Sequence, residues 1–266
     1  MLTIDRWQYI GGAITSILRQ TWENWELIII HDGENLEVKR QIDKWVAQDS
    51  RIRYYWRPKI GNIANAINYA IDRCLGEFVA ILDDDDAWTN DRKLDMQVKK
   101  LRLNPLLLAI GGGAYVVDAT GITKMVYYRS TDPRLCCRYG LLVNPIIHST
   151  VLMRRSILKK VGGYDESLSG YQDWDLWLRI MRIGQVSNIA SCFASYRVWD
   201  GGGSSSKIRD NACSALRIVW RHRNYSFFIA SVCVSLSLLV ISIVPISVRI
   251  PVYQLATKLK KRLKIK

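Results

Sequence analysis

The chain has 266 residues, enough for one sizeable domain with an appendage, and its formal net charge is +14. That charge is concentrated at one end, because residues 211–266 hold ten Lys or Arg and no Asp or Glu. The preceding 210 residues carry only +4, which argues against a nucleic-acid-binding domain. The six cysteines show no metal-finger spacing, so we expect reduced thiols rather than a zinc site.

Strands and helices alternate along the first third of the chain. Short apolar runs predict three strands, at 26–30, 52–56 and 77–82. Apolar residues at helical spacing predict three helices, at 10–20, 36–48 and 62–75. This alternation is typical of a doubly wound α/β sheet flanked by helices.

Four aspartates follow a strand that is apolar on both faces. Residues 78–82 lead directly into Asp83, Asp84, Asp85 and Asp86. Adjacent carboxylates repel one another unless a cation neutralises them, and oxygen ligands suit Mg²⁺, Mn²⁺ or Ca²⁺. The carboxyl ends of strands in open α/β sheets also collect ligands. The run therefore predicts a metal site, with a solvated loop or helix cap as the alternative.

The middle of the chain continues the pattern. Helices are predicted at 91–103, 154–160 and 173–183, and strands at 106–117, 148–153 and 189–197. The strand at 106–117 contains three successive glycines, at 111–113. A strand bulge or a close backbone approach explains them better than a phosphate cradle, because no GxxxxGK pattern follows.

The end of the chain has membrane character. Residues 224–248 contain no charged side chain and are long enough for one transmembrane helix. Basic residues flank this stretch on both sides, which is unusual for a simple span and favours contact with anionic lipid headgroups. The alternatives are a re-entrant or interfacial helix and a buried helix of a soluble domain.

Five motifs in order resemble the family 2 glycosyltransferases between about residues 3 and 205. They are YIGGAITSILRQTWENWELIIIHDG, GEFVAILDDDDAW, HSTVLMRR with VGGYDE, QDWDLWLR and YRVW. The resemblance implies a GT-A fold, with a mixed and mainly parallel sheet. It also implies inverting transfer of a sugar from a nucleotide-diphosphate sugar.

The resemblance assigns roles to individual acids. Asp32 matches the acid that binds the nucleotide base. Asp83 and Asp85 match the DxD pair; Asp85 is the direct ligand of Mn²⁺ or Mg²⁺, and Asp83 lies nearer the ribose or the metal. Asp84 fills a neighbouring donor-binding position. Asp173 matches the catalytic base, which suits a carboxylate able to accept the acceptor's hydroxyl proton.

Three further residues complete the predicted substrate site. The predicted acids also have interpretations that involve no ligand. His148 falls where an acceptor-side or diphosphate-side polar residue lies, Arg197 where an arginine holds the leaving diphosphate, and Trp88 is the best stacking candidate. The alternatives are a turn cap for Asp32 and helix-favouring acids for Asp173 and Asp175. Asp175 is the second choice for the base.

Three positions depart from the family pattern. Family members open with a strand of the type VSVIIPTYN, whereas residues 1–5 cover only its end, so we expect a truncated start or an inactive product. His31 replaces the first acid of the usual DDGS turn. Trp199 stands where a histidine often follows the YR pair, which puts a third protein metal ligand in doubt.

These features predict a glycosyltransferase acting on a glycan or lipid-linked acceptor in cell-surface polysaccharide synthesis. The alternatives are a non-catalytic, membrane-bound remnant or partner subunit of a glycosyltransferase and, less favoured, a nucleotidyltransferase. We expect the inner membrane, with the catalytic domain in the cytoplasm, and no nucleic-acid partner. The predicted parts are a catalytic domain at 1–206, a basic connector at 207–224, a transmembrane or re-entrant helix at 225–248 and a basic tail at 249–266.

Overall fold

The computed structural model describes residues 1–198 and 208–243. Trp199, the glycine-rich loop and the basic tail at 249–266 lie outside the described residues. Strands β1 to β9 are Leu2–Thr3, Leu27–Asp32, Ile52–Arg57, Phe78–Ala80, Ala87–Trp88, Leu107–Val117, Thr123–Tyr127, Leu152–Arg154 and Gln185–Arg197. Helices α1 to α9 are Trp7–Leu18, Leu36–Gln48, Ile63–Ile71, Lys93–Leu103, Pro133–Tyr139, Arg155–Val161, Gln172–Met181, Ile208–Arg221 and Phe228–Ile243. A 3₁₀ turn covers His148–Thr150.

The strands form two sheets flanked by helices. The first has the order β1-β2-β3 and is parallel throughout, as the βαβ alternation predicts. The second has the order β4-β8-β6-β9-β5, with β7 added to β6, and only its β6–β9 pair is parallel. The α/β class is confirmed, but a mainly parallel sheet is not. The difference arises because β8 runs antiparallel to both β4 and β6, while β5 and β7 run antiparallel to β9 and β6.

Most predicted elements are present with shifted ends. Helix α2 has the predicted bounds, because the side chain of Asn35 accepts the Glu37 N–H and caps its start. The strand expected at 77–82 is confined to Phe78–Ala80. The strand expected from His148 begins only at Leu152, after the 3₁₀ turn. The sequence did not predict β5, β7 or α5.

The glycine triplet lies inside β6 at the most buried pairing of the second sheet. The register of β6 against β9 shifts on both sides of Gly113, which marks the expected irregularity. A Cβ on Gly112 would collide with the ring of Phe193 and lie 2.9 Å from the carbonyl oxygen of Ser191. The triplet therefore serves close packing, and the preferred prediction is confirmed.

A cavity of about 560 Å³ separates the two sheets. It lies between β2 and β4, where β1 contributes only two residues. The Met1 ammonium donates to the carbonyl oxygen of Ile28 at 2.9 Å, and burial lowers the pKa of this amino group. The lining is mostly apolar and includes Ile28, Val79 and Leu152.

The end of the described chain is a helical hairpin. Residues predicted as a basic connector form α8, which packs against α9. In the described ranges, no helix is both long and apolar enough to cross a membrane, so the transmembrane prediction for 225–248 is not supported.

Candidate active site

The four aspartates form a turn at the end of β4 and point in different directions. The Asp86 N–H donates to the carbonyl oxygen of Asp83 at 3.2 Å and closes the turn. The Asp86 carboxylate is buried, where it accepts the Ser149 hydroxyl and the Arg197 backbone N–H. Burial and the nearby charge of Asp83 raise its pKa well above the ordinary value. Asp86 therefore holds the turn in place.

Asp83 and Asp85 are the carboxylates of this turn that reach the cleft. The side chain of Asp83 is 37% exposed and that of Asp85 is 12% exposed, whereas Asp84 is fully buried. The exposed pair is the predicted DxD pair. Asp84, predicted as a donor-binding residue, lies underneath it instead.

Arg6 neutralises the inner side of the turn. Its guanidinium lies 2.5 Å from Asp84 Oδ1 and 2.6 Å from Asp85 Oδ2. Burial raises the pKa of Asp84 to about 7, although the positive charge of Arg6 opposes that rise. Arg6 was not predicted as a site residue, because its partners lie 78 and 79 positions away and nothing local marks the contact.

His148 connects the aspartate turn to helix α7. Its Nδ1 lies 3.6 Å from Asp83 Oδ1, and its Nε2 is 3.0 Å from the Tyr164 hydroxyl. Burial alone would lower the imidazole pKa, but the charges of Asp83 and Asp173 raise it above its ordinary value. In return, His148 holds the pKa of Asp83 below its ordinary value against the opposing effect of burial.

Asp173 lies in the first turn of α7, where its charge acts on the same imidazole and raises the pKa of His148. The ring of His148 contacts Trp177, one helical turn beyond Asp173, with ring centroids 6.5 Å apart. The Asn144 amide donates to Asp173 Oδ2 at 2.7 Å and fixes the carboxylate. Asp173 and Asp83, which are 90 positions apart in sequence, therefore both act on the pKa of one imidazole.

Asp175, the second choice for the base, has a structural role. It is fully buried and contacts Arg179, Arg221 and His222 at 2.7, 3.2 and 3.0 Å. Burial alone would raise its pKa, but the hydrogen bond from His222 and the charge of Arg179 hold the pKa at about 2. This network ties α7 to α8, and the role of Asp173 as the base stays a prediction.

Asp32 lies at the end of β2 and is buried. Its carboxylate accepts Arg57 Nε and the Ile60 N–H, both at 3.0 Å, and the Gly61 N–H at 2.9 Å. It holds the loop after β3 against β2. Binding of the nucleotide base by Asp32 stays a prediction.

His31, the departure beside Asp32, is also buried. Its Nδ1 is 3.0 Å from the Tyr54 hydroxyl and its Nε2 is 3.2 Å from Asp5 Oδ1. Asp5 has a φ of 54° and also accepts the Asn35 N–H. His31 therefore pairs with the turn that follows β1.

Arg197 and Trp88 pack around the aspartate turn. Arg197 Nε donates to the carbonyl oxygen of Asp85 at 3.1 Å, and its Nη1 donates to the carbonyl oxygens of Asp118 and Ala119. Its contact with a diphosphate stays a prediction.

Trp88 was predicted to stack on substrate, and the structure contradicts this. The indole is buried, its N–H donates to the carbonyl oxygen of Ser149 at 2.9 Å, and the Lys93 ammonium lies 4.1 Å from its ring centroid. Its aromatic ring is part of the core, because β5 draws it against β9.

The donor set fits a divalent metal shared with a ligand. Within the described ranges, no three His, Cys, Asp or Glu side chains are grouped to hold a metal by themselves. Mg²⁺ characteristically takes one or two carboxylates and completes its shell with phosphate oxygens and water. Asp83 and Asp85 supply such a pair at the cleft.

Comparisons with known proteins identify the family of the chain. A sequence model described as Glycosyl transferase family 2 matches residues 1–162. The O-antigen biosynthesis glycosyltransferase WbnJ of Escherichia coli is 26% identical over 231 residues, 84% of this chain and 88% of WbnJ. The Escherichia coli UDP-Glc:alpha-D-GlcNAc-diphosphoundecaprenol beta-1,3-glucosyltransferase WfgD is 28% identical over 206 residues, 76% of each chain.

A solved structure shares the fold. The mannosyltransferase PcManGT of Pyrobaculum calidifontis, in complex with GDP-Man and Mn²⁺, superposes with a TM-score of 0.67 at 13% identity. The match covers 97% of this chain and 78% of that chain. The expected GT-A-type architecture is thus confirmed at the level of the fold.

Proposed function

The chain belongs to the family 2 glycosyltransferases and is a transferase enzyme. For this enzyme we propose a specific reaction. It moves a sugar, with inversion, from a nucleotide-diphosphate sugar to a hydroxyl of a glycan or lipid-linked acceptor in cell-surface polysaccharide synthesis. The names of WbnJ and WfgD support this acceptor class, and GDP-Man in the PcManGT complex supports the donor class.

The observation that carries the proposal is made at His148, whose Nδ1 lies 3.6 Å from Asp83 Oδ1 and whose pKa is raised by the charges of both Asp83 and Asp173. Inverting transfer needs a base on the acceptor side and charge neutralisation on the leaving-group side of one cleft. Asp173 accepts the acceptor's hydroxyl proton as oxygen attacks the anomeric carbon. Asn144 orients the carboxylate for that transfer through its 2.7 Å hydrogen bond.

Asp83 and Asp85 form the leaving-group side. They would hold a divalent cation, Mn²⁺ or Mg²⁺, which when bound neutralises the negative charge that develops on the departing nucleoside diphosphate. Asp86 and Arg197 keep the turn in position, and Arg6 offsets the charge of the buried Asp84. As part of the same proposal, the enzyme works at the cytoplasmic face of the inner membrane.

The test is a transfer assay with a panel of nucleotide sugars, in Mn²⁺ and in EDTA. We expect release of a nucleoside diphosphate with one donor, and loss of release in EDTA. Release of pyrophosphate would identify a nucleotidyltransferase instead. The gap between β2 and β4 favours one other candidate, a non-catalytic partner subunit. Such a subunit would bind no nucleotide sugar in a calorimetric titration.

A further inference from the structure

Four of the apolar residues of α9 face away from the protein, whereas Phe228 and Val232 pack against the core. Ile229, Cys233, Leu236 and Val240 recur at intervals of four, three and four residues, which places them on one helical face. All four are exposed, Ile229 at 77% and Val240 at 63%. These residues are called the outer stripe below.

Two serines of the same helix face inward, whereas Ser237 is exposed. Ser231 and Ser235, one turn apart, are both buried, and the Ser231 hydroxyl donates to the carbonyl oxygen of Leu141 at 2.8 Å. A surface helix in water normally buries its apolar face and exposes its polar one. The reversed arrangement on α9 indicates that the outer stripe meets a medium less polar than water.

The neighbouring helix supplies an aromatic ring and positive charge beside the stripe. Trp220 of α8 is 65% exposed and borders a groove of about 700 Å³ that runs between the two helices. Arg217 and Arg223 are exposed on the same hairpin. Since residues 211–266 contain no acid, no carboxylate of this segment offsets that charge. Tryptophan and basic side chains are the residues that settle at the headgroup level of anionic membranes.

We propose that the α8–α9 hairpin lies in the surface of an anionic lipid bilayer, with the outer stripe and Trp220 at the boundary between headgroups and acyl chains. The contact is interfacial and needs no spanning helix. Charge selects this occupant: a second copy would bring the same exposed arginines against each other, whereas anionic headgroups complement them.

The hairpin also leads to the proposed base. The ring of Phe227 stacks on Tyr139 with centroids 5.1 Å apart, and Ser231 binds Leu141. The segment carrying these two partners continues to Asn144, which holds Asp173. This step rests on the proposed function: a bilayer contacted by the hairpin would present a lipid-linked hydroxyl on the Asp173 side of the cleft.

The experiment is sedimentation of the full chain with vesicles of phosphatidylglycerol and phosphatidylethanolamine, compared with vesicles of phosphatidylcholine alone. We expect binding to the anionic vesicles that weakens with added salt. The variant Arg217→Gln/Arg223→Gln should bind about 30-fold more weakly. The affinity of the variant Trp220→Ser/Ile229→Ser/Val240→Ser for the anionic vesicles should fall by about 10-fold or more.

Matched controls make the result specific to the hairpin. Leu103→Ser removes an apolar side chain that is 72% exposed on α4, and Lys99→Gln/Lys100→Gln removes two exposed charges there. Both should bind vesicles like the wild type. The proposal would be overturned if the hairpin variants lost less than twofold in vesicle affinity. It would also be overturned if the wild type bound anionic and phosphatidylcholine vesicles equally. A dimer in light scattering that Ile229→Ser/Val240→Ser dissociates would overturn it too. Vesicle binding is measured without sugar transfer, so a failed transfer assay would leave this result standing.

Discussion

Some residues of the proposed site are placed to contact substrate, and others hold those residues in position. Two aspartates two positions apart on α7 illustrate the division. Asp173 faces the cleft and accepts one amide hydrogen bond, whereas Asp175 is buried among two arginines and a histidine. Composition alone does not separate them, because both suit the positive end of a helix dipole.

Substitution of these two aspartates should separate chemistry from stability. Asp175→Asn should lower the free energy of unfolding by about 3 kcal/mol, because it leaves buried cations without their carboxylate. Asp173→Asn should change that energy by less than about 0.5 kcal/mol. Urea denaturation of both variants checks this. A large loss for Asp173→Asn would show that its role is structural.

Asp84 makes stability depend on pH. Its folded pKa of about 7 exceeds the ordinary 3.8, so the folded state keeps this proton while the unfolded chain releases it. The resulting stability is complete below pH 3.8 and is lost as pH rises to about 7, a difference of about 4 kcal/mol. Asp84→Asn keeps a neutral side chain throughout.

The variant should therefore gain stability relative to the wild type as pH rises from 5 to 8. Thermal unfolding at several pH values in EDTA measures this, and Asp43→Asn on the exposed face of α2 is the control. A constant difference in Tm between Asp84→Asn and wild type over that range would show that Asp84 is ionised throughout.

At the scale of elements, the sequence predicts those helices and strands that have a clear apolar periodicity or a capping residue. Helix α2 matches its prediction because its apolar spacing is clear and Asn35 caps it. Strand β7 was missed because all five of its residues are exposed, so no alternation marks it. Helix α5 was missed because Cys136 is its one buried residue, so no apolar face marks it.

The glycine triplet gives a packing test. Gly112→Val should destabilise the fold by about 3 kcal/mol, because the new side chain overlaps the Phe193 ring and the β9 backbone. The control is Gly12→Ala on α1, because a Cβ at Gly12 meets open space. Gly121→Val would not serve as a control, because Gly121 has a positive φ that strains any side chain. Chemical denaturation measures both variants. Equal stability of Gly112→Val and wild type would contradict the packing account.

The cavity between β2 and β4 gives a second test. Adding Val-Ser-Val-Ile before Met1 should place apolar residues between the two sheets and raise Tm by about 5 °C. Any extension replaces the buried Met1 ammonium with a peptide N–H, so a protein extended with Ser-Gly-Ser-Gly is the control for that change. Equal Tm values for the two extended proteins would show that the cavity does not accept a strand.

At the scale of the whole molecule, distant parts of the chain meet where no local pattern requires it. The sequence predicts Asp83, Asp85 and Asp173 as site residues, and the fold places Asp83 and Asp173 around His148. Arg6 and Asn144 were not predicted, because their roles depend only on partners brought close by folding. The prediction of a membrane span is not supported in the described part of the chain, and the burial of Ser231 and the exposure of Ile229 are properties of packing that hydropathy does not report.

The central claim is that one cleft pairs a base at Asp173 with a leaving-group site at Asp85. The most direct measurement is the initial rate of sugar transfer by Asp173→Asn and Asp85→Asn, beside wild type, using the donor identified by the panel. We predict that each variant loses about 1,000-fold in rate while keeping the wild-type Tm within 2 °C. Transfer at the wild-type rate by both folded variants would contradict the account.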